Sequence, residues 1–325
     1  MRQKILEILK KSSDYVSGEY LGETLGVSRT SIWKAIKQLR QEGYDIQAVS
    51  NRGYYLSQNK ELYNAQEIED GLGTKWLGKQ VYFYKEIDST NACIRRLAAE
   101  GAPEGTLAVA EAQSAGRGRR GKEWTSQEGV GIWMSLLLRP DISPNQTPLL
   151  TLLTGLAVCK AIQKTTDLPV QIKWPNDILI GGKKICGILT EMDGEMTRVN
   201  YVVVGIGINV NTEYFPEELE AIATSLKIEN NGVAISRKKL IQAILTELEG
   251  YYEKYVKERD FAYFYEEYKS ACVTIGQEVY TLGKEAVEGK AIDINPQGEL
   301  MVQKADGSIV TVFSGEVSIR PRRKG

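Results

Sequence analysis

The spacing of apolar residues changes character along the chain, and each change predicts a different kind of element. Near the start, Ile5, Leu6, Ile8 and Leu9 mark one face of a helix. Ser17 opens a second helix with Leu21 and Leu25 four apart, and Gly26-Val27 makes a tight turn. Ser28 caps a third helix, in which Ile32, Ile36 and Leu39 share a face while Arg29, Thr30, Ser31, Lys34 and Lys37 fall mainly on the other. Two short β-like runs follow in YDIQAVSNRGYYLS, around a turn at Asn51-Arg52-Gly53. Residues 58–70 are polar and read as a linker or short linking helix. Beyond them, apolar runs at 81–84, 106–110, 130–138, 170–174, 178–180, 185–190 and 199–210 predict strands. Stretches 90–100, 147–165 and 237–258 predict helices, and the aromatic residues of 251–268 read as packing. From 272 the runs become short and alternating, with turn signals at LGK, NPQG and ADGS, which predicts a small β-barrel. The predicted organisation is a multidomain α+β protein, divided as 1–62, 63–270 and 271–325, with a mixed α/β sheet domain in the centre.

Two short helices joined by a glycine turn, the second basic at its start and followed by a hairpin, describe a winged helix-turn-helix. Charge sharpens this reading. The whole chain of 325 residues is nearly neutral, with 41 basic and 42 acidic residues, but residues 1–60 hold ten basic against six acidic, a surplus of four. A basic head on a mildly acidic body fits a polyanionic partner. On duplex DNA, Lys34, Lys37 and Arg52 would meet phosphates, and Arg29, Thr30 and Ser31 would face base edges.

Composition narrows the chemistry of the body. The chain has no histidine, which removes Ser-His-Asp and Cys-His catalysis and His-ligated zinc. Cys93, Cys159, Cys186 and Cys272 are far apart and form no C-x-x-C pair, as expected of reduced thiols in the cytoplasm. The first residues, MRQKILEILKK, lack an uninterrupted apolar run, and no stretch approaches the ~18 apolar residues of a membrane span, so no membrane association is expected.

Four segments carry candidate chemistry. In QSAGRGRRGKEW (113–124), glycines alternate with Arg117, Arg119, Arg120 and Lys122 between strand-like runs; such a loop turns backbone N–H groups and guanidinium forks toward an anion. It lacks the Walker pattern. In KWPNDI (173–178), Asn176 and Asp177 either cap a turn through their own side chains or supply oxygen ligands to Mg²⁺. In GGKKICGILTE (181–191), Lys184 adjoins an apolar run that would aim its ammonium inward. In YVVVGIGINVN (201–211), glycines within a strand mark close approach by a ligand or another backbone. Together these suit adenylate formation, in which a carboxylate attacks the α-phosphate of MgATP and charge neutralisation carries the step. An ionised carboxylate needs no base, so the missing histidine is no handicap.

DSTN (88–91), QSAGRGRRG (113–121), KWPND (173–177), KKICGIL (183–189) and GIGINVN (205–211) resemble the motif series of biotin–protein ligases. With the winged helix in front, the chain resembles the bacterial bifunctional biotin ligases and biotin operon repressors over its whole length, including a small SH3-like C-terminal barrel. The resemblance implies formation of biotinyl-5′-AMP and transfer of biotin to a lysine of a carrier domain of a biotin-dependent carboxylase. It implies the adenylate as corepressor of a homodimer bound to operator DNA, with the strand at 201–210 pairing edge to edge between protomers. It implies that Ser89, Thr90, Asn91 and Gln113 surround the biotin head, with Arg117 and Gly118 in a loop closing over the ligand. By the same resemblance Arg119 and Lys184 hold the biotin carboxylate and α-phosphate and are the catalytic pair. Trp124 covers the adenine with Asn209 nearby, Arg120 and Lys122 belong to the ATP site, and Asn176 and Asp177 serve metal and phosphates. Some relatives have arginine where this chain has Lys122, exchanging a bidentate fork for a point charge. Two other readings stay open: a repressor that binds a small carboxylic acid without catalysis, and a lipoyl- or octanoyl-transferring relative of similar fold.

Overall fold

The computed structural model describes residues 1–41, 44–57, 62–282, 286–313 and 318–321. The chain divides into two compact units, Met1–Glu67 and Ile68–Gly325.

In the first unit, α1 (Arg2–Lys11), α2 (Gly18–Leu25) and α3 (Arg29–Gln41) precede a hairpin of β1 (Ile46–Val49) and β2 (Gly53–Leu56). The predicted caps form: Ser17 Oγ accepts from Tyr20 N at 3.0 Å, and Ser28 Oγ accepts from Ser31 N at 3.2 Å. Gly26 ends α2 in the left-handed region that the turn requires. Ile5, Leu9, Leu21, Ile32, Ile36 and Leu39 close one core, so α3 keeps Arg29, Thr30, Lys34 and Lys37 exposed. Within the polar stretch 58–70, Ala65–Glu69 form α4, whereas residues 58–61 lie outside the described residues.

The second unit is built on a seven-stranded sheet. Its elements in chain order are β3 (Val81–Ile87), α5 (Thr90–Ala99), β4 (Leu107–Gln113), β5 (Gly131–Leu138), α6 (Thr147–Thr166), β6 (Gln171–Lys173), β7 (Asp177–Ile180), β8 (Lys183–Gly194) and β9 (Val199–Asn209). There follow α7 (Glu217–Glu220), α8 (Leu226–Glu229), α9 (Arg237–Glu258) and α10 (Ala262–Ala271). The strand order is β3-β4-β5-β9-β8-β7-β6, with β3 and β4 parallel across the α5 crossover and the other pairs antiparallel. Every strand and long helix expected for this region is present. The helix α10 was not expected, because its tyrosines and acidic residues mask a short buried stripe of Phe264 and Tyr268.

One expectation is overturned. The strand at 201–210 is not an edge: β9 is paired along its length by β5 on one side and β8 on the other, leaving no free ladder for a second protomer. The edges of this sheet are β3 and β6.

Because side chains alternate across a strand, residues opposite one another in the ladder form rows on one face. Trp133, Gly207 and Gly187 make one row; Ser135, Gly205 and Leu189 the next; Leu137, Val203 and Glu191 the third. Against the third row α5 packs Cys93, Ile94 and Ala98. The other two rows are thinned by glycine and leave a trough.

Helix α9 ties down the segment that leads into the sheet. The buried Glu249 carboxylate accepts from the backbone N–H groups of Lys75 (2.7 Å), Trp76 (3.0 Å) and Leu77 (2.9 Å). At its N-terminus Arg237, also buried, pairs with Glu111 at 2.6 Å and donates to Gly131 O, fixing the strand ends that flank the Gly/Arg loop.

The last strands, β10 (Glu278–Leu282), β11 (Glu288–Ile294), β12 (Leu300–Gln303), β13 (Ile309–Val312) and β14 (Ser318–Pro321), form an antiparallel sheet ordered β13-β12-β11-β10-β14. The predicted turns at NPQG and ADGS connect β11 to β12 and β12 to β13; the Gly and Lys of LGK lie outside the described residues. The segment before β10 and the β11–β12 turn reach β6 and Trp174. Val273 N donates to Ile172 O, Thr274 Oγ1 accepts from Trp174 N at 2.9 Å, and Gly298 O accepts from Trp174 Nε1 at 3.0 Å. No helix among the described residues is long and apolar enough to cross a membrane.

Candidate active site

The glycine-thinned rows open into a cavity of about 590 Å³. All of the residues proposed for ligand binding line it: Ser89, Thr90, Asn91 and Gln113; Arg117, Gly118, Arg119, Arg120, Lys122 and Trp124; Asn176, Asp177, Lys184 and Asn209. Five separate segments of the sequence therefore meet in one place.

DSTN lies at the start of α5. Ser89 caps the helix, its Oγ accepting from Ala92 N, and Asp88 just before it forms a two-pronged pair with Arg96 at 2.8 and 2.9 Å. Those charge-assisted hydrogen bonds hold the Asp88 carboxyl down at about 2. Thr90 N donates to Gln113 Oε1 at 2.8 Å, which joins the helix to the end of β4.

The Gly/Arg segment folds as an irregular hairpin. Gly118 N donates to Lys122 O, Trp124 N to Gly116 O and Gln113 N to Ser126 O. Arg117, Arg120 and Lys122 are exposed at the cavity mouth, while Arg119 is half-buried and donates from Nη1 to Asn176 Oδ1 at 2.9 Å. Trp124 turns back under the loop onto the sheet. A methyl placed on Gly207 would sit 2.7 Å from its Nε1, and one on Gly205 would sit 2.1 Å from Asn91 Oδ1. The two glycines of GIG are thus explained by side chains of this chain, not by another backbone.

Asn176 and Asp177 sit where β6 turns into β7, next to the buried Trp174. Lys184 reaches inward as expected. Its Nζ lies 2.6 Å from Asp177 Oδ1 and 5.1 Å from the centre of the Trp124 ring. The contact with Asp177 is charge against charge but off the hydrogen-bond direction, and that buried oxygen has no hydrogen bond among the described residues. Asn209 donates to Thr224 O at 3.2 Å from the far wall.

Two residues of one carboxylate and one amide, both already facing cations, do not make a closed protein cage for a metal. Among the described residues no cluster of three or more His, Cys, Asp or Glu side chains has metal-binding geometry. The oxygens do fit Mg²⁺ carried in on nucleotide phosphates, which takes one or two protein carboxylates and keeps its other ligands. Asp177 Oδ1, buried and without a hydrogen bond, is the atom such an ion would meet.

The sequence reading missed one wall. Tyr214, Phe215, Pro216, Leu219, Ile222 and Ala223 line the cavity from the connection after β9, and Lys184 is clamped to it by Lys184 N to Ile222 O and Thr224 N to Lys184 O. Tyr214 is 84% exposed and Ile222 61% exposed. The signal was there: a Tyr-Phe-Pro step in a stretch with no strand or helix period.

The chain has no histidine to titrate near neutrality. Burial pushes the thiols of Cys93, Cys186 and Cys272 up and that of Cys159 up to about 12, and arginine stays charged throughout. Pyrophosphate release from ATP is therefore expected to stay flat between pH 6 and 8, and a sigmoidal step within that range would contradict the site described. Lower down, the Asp88–Arg96 pair contributes stability that is present above about pH 4 and fades as pH falls toward 2, because its folded value is depressed. Both partners are about half exposed, so that contribution is small.

In the first unit, the side chains proposed for DNA contact lie on α3 and at the hairpin turn and are not all idle. Arg29 pairs with Glu19 at 3.1 Å, and Ser31 Oγ is 3.0 Å from Ser28 Oγ. Arg52, at the hairpin turn, pairs with Asp14 at 3.2 Å and lies 4.5 Å over the Tyr15 ring. The sequence reading also passed over Trp33, half exposed on α3 with Lys37 Nζ 5.6 Å from its ring centre.

Comparison with known proteins agrees with this layout. Residues 83–209 match the biotin/lipoate A/B protein ligase family, residues 1–55 an HTH domain, and residues 274–320 the biotin protein ligase C terminal domain. A biotin protein ligase from Aquifex aeolicus, solved in complex with biotin and ATP, superposes with a TM-score of 0.66 at 34% identity, covering 75% of this chain and 100% of that one. The fold and site define a member of the biotin protein ligases. Over nearly full length, the chain is 42% identical to the bifunctional ligase/repressor BirA of Bacillus spizizenii (98% of each chain covered). It is 31% identical to that of Escherichia coli (99% of this chain and 98% of the other). The chain belongs to this family of bifunctional ligase/repressors.

Proposed function

We propose that the chain is an ATP-dependent biotin ligase that forms biotinyl-5′-AMP, transfers biotin to a lysine of a carboxylase carrier domain, and represses biotin genes with the adenylate as corepressor. The observation that carries the catalytic half is the convergence of Arg119 and Lys184 on the Asn176–Asp177 corner inside one cavity. In the first step a biotin carboxylate oxygen bonds to the α-phosphorus of ATP and pyrophosphate leaves. Arg119 and Lys184 hold the two anions together and offset the charge that builds on phosphorus. Each cation is kept in place beforehand by a partner it can exchange for substrate oxygens, so little reorganisation is needed. Mg²⁺, bound through Asp177 and Asn176 with the phosphates, supplies further charge neutralisation. In the second step the carrier amine bonds to the acyl carbon and AMP leaves. Ser89, Thr90, Asn91 and Gln113 take the biotin head. Arg117, Gly118, Arg120 and Lys122 close the mouth, and Trp124 and Asn209 border the adenine. The test is incubation with labelled biotin or lipoate, MgATP and an apo carrier domain. Covalent biotin is expected, and covalent lipoate or no label at all would overturn the reading.

The repressor half rests on a separate unit with its own core and an exposed, basic third helix. Lys34, Lys37 and Arg52 meet phosphates; Arg29, Thr30 and Ser31 meet base edges. Lys37→Ala is expected to weaken operator binding and lower the salt slope by about one, with biotin transfer unchanged. Loss of both activities together in a gel shift and a transfer assay would count against separable modules. The protein works in the cytoplasm, and the adenylate favours a homodimer through a surface other than β9.

A further inference from the structure

The chain has five tryptophans, and four of them lie in the second unit. Trp76, Trp133 and Trp174 each donate the indole N–H to an oxygen of the protein, and Trp124 lines the cavity. Trp33 differs on each count. It stands on α3 in the first unit and is 54% exposed, while Ile32, Ala35, Ile36 and Leu39 of the same helix fill the core. Among the described residues its one partner is Lys37, whose Nζ lies 5.6 Å from the ring centre, so the indole N–H has no acceptor within the protein.

A single exposed apolar side chain is ordinary. This one, however, interrupts the basic surface of α3. Arg29, Trp33 and Lys37 are four residues apart and so lie along one side of the helix, with exposed Thr30 and Lys34 beside them. The ammonium on the next turn orients the ring without covering its edge. Arginine and lysine match phosphate oxygens and guanine acceptors, but they do not match an apolar group. In the major groove of DNA the apolar group is the 5-methyl of thymine, and it sits beside O4, an acceptor. An indole edge is the complement of that pair, an N–H next to apolar ring carbons. Cytosine sets a donor, its N4 amino group, where thymine has O4, and adenine and guanine carry no methyl.

We propose that Trp33 is a specificity-determining residue that reads a thymine in the major groove through its 5-methyl and O4, which rests on the DNA-binding reading of this unit and adds the base it selects.

The experiment starts from duplexes selected out of a random library by the full chain with biotin and MgATP. The tightest duplex is remade with uracil for thymine, one position at a time, which takes a methyl from the groove and leaves every hydrogen-bonding group in place. Uracil at the position facing Trp33 is expected to weaken binding ~4-fold, as for one buried methyl. Trp33→Ala should bind the thymine duplex ~10-fold more weakly and no longer distinguish uracil from thymine there. Its affinity should keep the slope against salt of the unaltered chain, because no phosphate contact is lost, whereas Lys37→Ala lowers that slope. Trp33→Phe keeps an apolar ring without the N–H, and should still prefer thymine over uracil while binding ~3-fold more weakly than the unaltered chain. Equal binding of thymine and uracil at every position overturns the inference, and so does a preference that Trp33→Ala leaves intact. A salt slope that falls in Trp33→Ala also overturns it. Should Trp33→Ala not bind at all, equal binding of the two duplexes by Trp33→Phe overturns it instead. A full chain that selects no sequence overturns the DNA-binding reading as well.

Discussion

Alanine at Lys184 or Arg119 should slow biotinyl-adenylate formation by ~10²-fold or more. The reason is the arrangement of charge. Each of these cations is fixed by one oxygen of the Asn176–Asp177 corner, at 2.6 Å for Lys184 and 2.9 Å for Arg119. Removing Lys184 also leaves the Asp177 carboxylate without its ammonium partner beside the incoming phosphates. Lys184→Ala is thus expected to be at least as damaging as Arg119→Ala, and Lys184→Arg to recover little, since a broad guanidinium replaces a compact ammonium held 2.6 Å from Asp177 and against Gly187. The measurement is pyrophosphate release without carrier domain, which isolates the first step. Near-normal rates in either alanine variant would remove that residue from the mechanism.

The second large effect falls on stability. Glu249→Ala strips the side-chain acceptor of three successive backbone N–H groups, those of Lys75, Trp76 and Leu77. The Leu77 N–H is buried and the other two are partly so; an orphaned buried donor costs about 1–3 kcal/mol and the partly exposed pair less, so a loss of about 3 kcal/mol is expected. At roughly 2–4 °C per kcal/mol for a unit of this size, the melting point should fall by about 6–12 °C. Trp76 belongs to the affected segment, so its fluorescence reports the transition directly. A melting point unchanged by the substitution would mean that solvent reaches those N–H groups.

Most of the fold was legible because its elements bury one face or both, and burial writes a period into the sequence. The β-strands from 81 to 209 and the helices at 90, 147 and 237 stand out for that reason. The edge or interior position of β9 was not legible, because strand order depends on contacts between segments far apart. Four of the five segments of the candidate site were legible as unusual chemistry and DSTN only through the family resemblance, but the partners of their side chains were not. Nothing in GIG says that Asn91 and Trp124 fill the space above its glycines. The wall at 214–223 escaped because it obeys no period.

The two ends of the chain differ as building blocks. The first 67 residues close a core of their own and form a compact unit, so evolution or an engineer can lose or exchange them as one piece. The last strands look equally separable by sequence, and among the described residues none beyond Ala223 lines the cavity. Yet the backbone N–H and indole of Trp174, two residues before Asn176, are held by Thr274 and Gly298. A chain cut after α10 would keep all the described cavity-lining residues and lose the brace that aims the Asn–Asp corner. The C-terminal sheet is thus inherited with the catalytic unit as its indispensable scaffold, and its boundary is no site for excision or fusion.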